Sequence, residues 1–335
     1  YYTHGDFGVL DWFRDNKPVH EKGYTTQLIG ADAVKYIQAR KPGEPFYLYL
    51  TFNAPHTPYQ APREYIDRYK NIEDPTRRIY AGMVACLDDE IGKVVAALDA
   101  KNLRANTLIL FHSDNGGTRN AMFAGQMTDM SKVKLPCDNG PYRGGKGELF
   151  EGGCRVAACA NWPGHIQAGT VSGILHAVDI YPTLAALAGA PTTKCKPLDG
   201  VNVWNTIAEN QPSSRTEVVY NIEPFRGAVR QGDWKCIWRT LVPTSVDLYN
   251  LADDPYEQNN LAASNPEKVV AMQERINALG KECAKPLALQ YIAGAGLKHG
   301  KPVIGAERGE PQAVISGHSI TDEGIGEVET EAANH

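Results

Sequence analysis

The chain has 335 residues, long enough for one large domain or two of ordinary size, and 42% of them are hydrophobic, enough for a substantial core. Its 34 basic and 39 acidic residues leave a formal charge of -5 without a Lys/Arg run able to track a phosphate backbone, which argues against a nucleic-acid partner. The longest strongly apolar stretch, residues 46–52, is too short to span a bilayer, so no membrane span is expected.

The chain opens on "YYTHGDFG", with neither a starting Met nor a signal sequence, and this end is expected to be processed or cut. Residues 46–52, "FYLYLTF", follow Pro45 and precede "NAPHTP", which predicts a buried strand opening into a loop. Asp74 and Pro75 then supply an N-cap and a first-turn proline. Ile79, Met83, Leu87, Ile91, Val94 and Leu98 recur at helical spacing up to the polar "KNLRAN". A second strand is predicted at "TLILF". Strand, helix and strand make a βαβ unit, expected to be right-handed and to lie in a largely parallel sheet. Ligands of such sheets gather beyond the carboxyl ends of the strands, where "NAPHTP" and "SDNGG" both fall.

A short amphipathic helix is predicted over residues 181–188, stopped by Gly189, with "KPLDGVNVW" following as a loop. Past Arg215 the pattern changes to short strands, "EVVYNI", "GAVRQGDWKCIWR" and "VDLYNL", then a helix from Pro266 to Cys283. The expected division is a core over residues 1–214, a small C-terminal α+β subdomain over 215–285 and a peripheral arm over 286–335. The seven cysteines include no C-x-x-C pair, which disfavours a zinc ribbon or thioredoxin-like site, and no disulfide is assigned. The absence of an N-x-[ST] acceptor disfavours a glycosylated animal secretory protein.

Four residues stand out chemically. Asp114 and Asn115 place two side-chain oxygens where a strand ends, followed by two glycines that let the backbone turn; this suits a hard divalent cation, and it equally suits an Asx-type turn. His56 sits in the other loop at the same expected sheet edge. Lys146, among the glycines of "PYRGGKGELFEGG", combines a cation with close backbone approach and so suits an oxyanion.

Seven segments in order resemble the sulfatase family of the alkaline phosphatase-like superfamily, closest in flavour to arylsulfatases of the arylsulfatase B-like kind. They are "FYLYLTFNAPHTPYQAPREYIDRY", "YAGMVACLDDEIGKVVAAL", "TLILFHSDNGG", "YRGGKGELFEGGCRVAACANWPG", "DIYPTLAALAGA", "KPLDGVNVW" and "VDLYNLADDPYEQNNLA". The resemblance implies an α/β, alkaline phosphatase-like sandwich with a mostly parallel central sheet and a small C-terminal α+β subdomain. It implies hydrolysis of sulfuric esters of aryl groups or carbohydrates. Asp114 and Asn115 would ligate Ca²⁺ or Mg²⁺, Lys146 would bind the sulfate group, and His56 would contact the ester and help the leaving group depart. A periplasmic or secreted location and a sulfated small molecule or glycan as partner follow from the same resemblance; oligomeric state does not.

The sequence departs from the family pattern in one large respect. It contains no C-x-P-x-R or S-x-P-x-R segment, so formylglycine, the family nucleophile, is not encoded in this chain. Cys195 begins "CKPLD", whose fifth residue is Asp199 and not Arg. The Asp-Asp metal pair and the "GKWHLG"-like segment of the family are also missing. The match is therefore expected to be to the C-terminal two-thirds of a sulfatase, with weak metal binding and very low sulfate turnover by this chain alone. Two alternatives stay open: a promiscuous metal-assisted esterase or phosphatase, and a non-catalytic binding protein for sulfated ligands.

Overall fold

The computed structural model describes residues 1–6, 9–41, 43–119 and 135–283. The 286–335 arm lies outside them. Two short hairpins, pairing Gly5–Asp6 with Val9–Leu10 and Phe13–Arg14 with Lys17–Pro18, lead into helix α1 (Thr25–Gln38).

Helix α2 (Pro75–Ala100) forms where predicted. The Asp74 side chain accepts the Arg77 N–H at 2.8 Å, Pro75 occupies the first turn, and Met83 and Leu98 are buried on its inner face. Helix α1, by contrast, carries no side-chain cap and has Gly30 in its interior, so its local signal is weak; it is held by packing on α2. Close approach needs that glycine, because a Cβ on Gly30 would overlap the buried Glu90 carboxylate.

Residues 46–52 differ from the expected buried strand. They run extended with alternating exposure but form no ladder among the described residues. Phe46 and Leu48 pack with Ile109 against Ile37, Ala97 and Leu98 of the helices, while Tyr47 and Tyr49 are 70% and 74% exposed. The alternation of period two is thus real, and one face of it meets the helices. Strand β1 (Ile109–His112) pairs antiparallel with β2 (Ala158–Asn161), and its end at Phe111 and His112 is exposed. All ladders among the described residues are antiparallel.

Helix α3 (Ile180–Leu187) ends before Gly189 at φ +66°, the left-handed position that favours glycine, and α4 (Trp204–Glu209) follows. Asp179, almost fully buried, accepts the N–H groups of His176 and Val201 at 2.9 Å each and pairs with Arg215, tying these segments together.

The three runs predicted as short strands form an antiparallel meander of four, β3 (Glu217–Glu223), β4 (Arg226–Gln231), β5 (Trp234–Arg239) and β6 (Ser245–Asn250), the second run supplying both β4 and β5. One face packs on helix α5 (Pro266–Glu282) through Val229, Cys236, Leu248, Met272 and Ile276. The other face presents Ala228, Ile237 and Tyr249 to Leu149 and Phe150 of the glycine-rich segment. Lys235 lies between Glu151 and Glu257 at 2.8 and 2.7 Å, with all three side chains buried.

Candidate functional site

His56 is presented by a loop pinned at both ends. The Tyr1 hydroxyl donates to the carbonyls of Asn53 at 2.6 Å and His56 at 2.8 Å, and the His56 N–H donates to Asn53 O at 2.9 Å. Thr25, at the start of α1, donates to the Asn53 side chain at 3.2 Å. The His56 Nδ1 lies 3.0 Å from the Thr57 carbonyl and 3.3 Å from the Thr57 hydroxyl; a hydrogen on Nδ1 satisfies the carbonyl, which can only accept. Its Nε2 is then an acceptor, and it faces the Lys146 Nζ at 3.0 Å. An ammonium has donors only, so this contact fits a neutral imidazole beside a charged lysine.

Lys146 is carried by a glycine-rich turn that interlocks with the "DNGG" turn. Lys146 N–H donates to Gly117 O at 3.1 Å, and Gly116 N–H donates to Gly153 O at 3.0 Å. A Cβ on Gly116 would overlap the Gly152 carbonyl and one on Gly145 the Gly117 carbonyl, which explains glycine at both places. Asn139 clamps the two turns: its Oδ1 accepts the Gly117 N–H at 2.7 Å, and its Nδ2 donates to the Gly117 and Gly144 carbonyls at 2.9 Å.

Asp114 and Asn115 occupy that "DNGG" turn. The Asp114 Oδ1 accepts the Asn115 N–H at 2.9 Å, the Asn115 Nδ2 donates to Gly116 O at 2.8 Å, and Ser113 Oγ donates to Asn115 O at 3.0 Å. The structure therefore joins His56 to Lys146 side chain to side chain, and joins Lys146 to the Asp114–Asn115 turn through backbone. Two nearby thiols are poor nucleophiles. Burial pushes the Cys137 and Cys154 thiols up, which keeps them protonated, and Cys137 Sγ donates to Thr118 O at 2.9 Å. Tyr1 and Asn139 were not singled out in the sequence; the Asn immediately before "GPYRGGKG" is the available signal for the second, and nothing local marks the first.

A sulfatase family model matches residues 3–190, more than half of the chain. The chain belongs to the sulfatase family. Arylsulfatase J of Mus musculus is 34% identical over 227 residues, a match covering 67% of this chain and 36% of the relative. N-acetylgalactosamine-6-sulfatase of Mus musculus is 31% identical over 239 residues, covering 70% and 43%. This sulfatase-family chain thus spans less than half the length of these two curated relatives. Its alkaline phosphatase-like α/β fold is shared with the crystal structure of Ps i-CgsB, at TM-score 0.71 and 33% identity, covering 82% of this chain and 58% of that one.

Sulfatase membership implies a divalent metal. The oxygens of Asp114 and Asn115 are of the right chemical kind for one. Their number is too small: Ca²⁺ takes about six to eight oxygen ligands, and no group of three or more His, Cys, Asp or Glu side chains among the described residues is placed to hold a metal ion. The residues fit the cation in kind but do not complete its shell.

Proposed function

We propose that this sulfatase-family chain recognises and hydrolyses sulfate esters of carbohydrates or aryl groups, with Lys146 and His56 holding the sulfate and the departing oxygen. The contact between Lys146 Nζ and His56 Nε2 at 3.0 Å carries the proposal, because it sets an anion-binding cation beside a group able to hand over a proton. An entering sulfate oxygen takes the place of the imidazole nitrogen as acceptor for the Lys146 ammonium. That frees Nε2, the nitrogen not engaged with Thr57 O, to take up a proton from solvent and pass it to the leaving oxygen as a water molecule attacks the sulfur. Lys146, meanwhile, stabilises charge building on the sulfate.

Asp114 and Asn115 are assigned to a Ca²⁺ or Mg²⁺ that lowers the charge on the bound sulfate. These two residues by themselves do not fill its shell. The names of the relatives favour carbohydrate or aryl sulfates, and family membership favours a periplasmic or secreted location. Among the described residues no helix is long and apolar enough to cross a membrane. The chain divides at residue 215, with the meander sheet and α5 as the smaller part.

The test is a side-by-side assay of nitrophenyl sulfate, phosphate and acetate. With no formylglycine segment in the sequence, sulfate turnover is expected to be slow. His56→Ala is expected to lower it by about 100-fold or more. Sulfate turnover unchanged in His56→Ala would contradict the assignment.

A further inference from the structure

The turn carrying Lys146 is seated on the C-terminal sheet, at a distance in sequence from the layer that holds His56. Arg143 Nη1 donates to the Tyr249 hydroxyl at 2.9 Å and to Glu257 O at 3.0 Å, and its guanidinium lies 4.1 Å over the Phe150 ring. Leu149 and Phe150 are buried against Ala228, Ile237 and Tyr249. Glu151 closes the segment: its side chain accepts from Lys235 and from the Tyr220 hydroxyl at 2.8 Å each, and its N–H donates to Glu257 Oε2 at 2.6 Å. Residues 143–151 are thus anchored at both ends, with Lys146 in the middle.

Between the anchors a contact from the C-terminal sheet reaches the residue after Lys146. Arg226 Nη1 donates to the Gly147 carbonyl at 2.8 Å. Its other nitrogens grip the Glu223 carboxylate at 2.8 and 2.9 Å, a fork that fixes the guanidinium on the sheet edge. Gly147 has φ +86°, a region glycine enters freely, so its own backbone preference does not fix the carbonyl direction. Something outside the turn has to fix it.

We infer that Arg226, locked by Glu223, is a positioning residue that sets Lys146 against His56, with the buried Lys235–Glu151–Glu257 cluster as the anchor behind it. A lysine head on a four-carbon stem reaches the same atom only if its backbone is held, and misplacement of a site group by about 1 Å is enough to cost a large part of a rate. The C-terminal sheet, which contributes no residue to the candidate site, then acts on it through the Arg226 guanidinium together with the anchors at Arg143 and Glu151. The consequence for sulfate esters rests on the function proposed above; the positioning itself does not.

The experiment reads the ring resonances of His56 by nuclear magnetic resonance in the full chain, for wild type, Lys146→Ala, Arg226→Met and Arg226→Lys. Arg226 is partly exposed at the sheet edge, with 36% of its side chain accessible, so Arg226→Met is expected to leave the melting temperature within about 4 °C. It should move the His56 resonances at least half of the way to their place in Lys146→Ala. Arg226→Lys, which keeps a donor for Gly147 O, should return them most of the way to wild type. His56 resonances in Arg226→Met coinciding with wild type overturn the inference, and so does a shift that Arg226→Lys leaves in full. The resonances report where Lys146 sits whether or not a sulfate ester binds. Failure of nitrophenyl sulfate to bind the wild type therefore overturns the functional reading alone.

Discussion

The Lys146 ammonium lies 3.0 Å from His56 Nε2 although 90 residues separate the two in sequence. His56 depends on Tyr1 and Thr25 for its loop, Lys146 on the C-terminal sheet for its turn, and the two supports meet at this contact. Because the pair is largely open to solvent, it contributes little to stability. Lys146→Ala and His56→Ala are each expected to change unfolding free energy by less than about 1 kcal/mol in denaturant titration. A larger loss would mean that the pair is structural first.

The two carboxylates around Lys235 should respond unequally to neutralisation. Burial works against the charge of Glu151, but Lys235 and the Tyr220 hydroxyl overcome it and hold its carboxyl below the usual range. Burial dominates at Glu257 and pushes its carboxyl up, with Lys235 offsetting only part. Glu151→Gln is expected to cost about 3 kcal/mol or more at neutral pH, and Glu257→Gln distinctly less. Thermal unfolding of both variants checks the order, and a reversed order would show that the lysine serves Glu257.

Asp179 predicts an acid limb in stability. Burial opposes its charge, yet Arg215 and the N–H groups of Val201 and His176 hold its carboxyl below the usual range. Its folded value lies under the unfolded value of about 3.9. The stability it contributes is complete above that unfolded value and is lost as pH falls through the folded one. Melting curves from neutral pH down to about pH 2 should fall more steeply for wild type than for Asp179→Asn. The variant should already be about 3 kcal/mol less stable at neutral pH, with Arg215 left without its partner.

Divalent-metal binding should be weak and should depend on Asp114. With Asp114 and Asn115 as its protein oxygens, a cation must fill its shell largely with water. Calorimetry with Ca²⁺ and Mg²⁺ is expected to give low affinity, reduced further by Asp114→Ala and much less by Lys146→Ala. Tight, stoichiometric binding would show that other residues of the chain complete the shell.

Local chemistry made much of this fold legible. Asp74 and Pro75 announce α2, and the β-rich runs from Glu217 onward give the four strands of the meander, because capping and period-two patterning are read within a few residues. Residues 46–52 misled because Tyr47 and Tyr49 suit a buried strand as well as an open face, and sequence does not say what covers that face. Lys235 and Glu257 were invisible as core residues, since a charge is buried only where partners from distant segments meet it. His56, Lys146, Asp114 and Asn115 were recognisable as loop chemistry. Arg226 was not, because a carbonyl of Gly147, 79 residues away, defines its role.

The most direct test of the central claim is calorimetric titration of the full chain with nitrophenyl sulfate, for wild type, Lys146→Ala and His56→Ala. If Lys146 and His56 hold a sulfate ester, wild type binds it, and Lys146→Ala weakens binding about tenfold or more as a charge-assisted contact is lost. His56→Ala should weaken it less, since the imidazole serves the leaving oxygen more than the bound sulfate. Lys146→Ala binding nitrophenyl sulfate as tightly as wild type would contradict the claim.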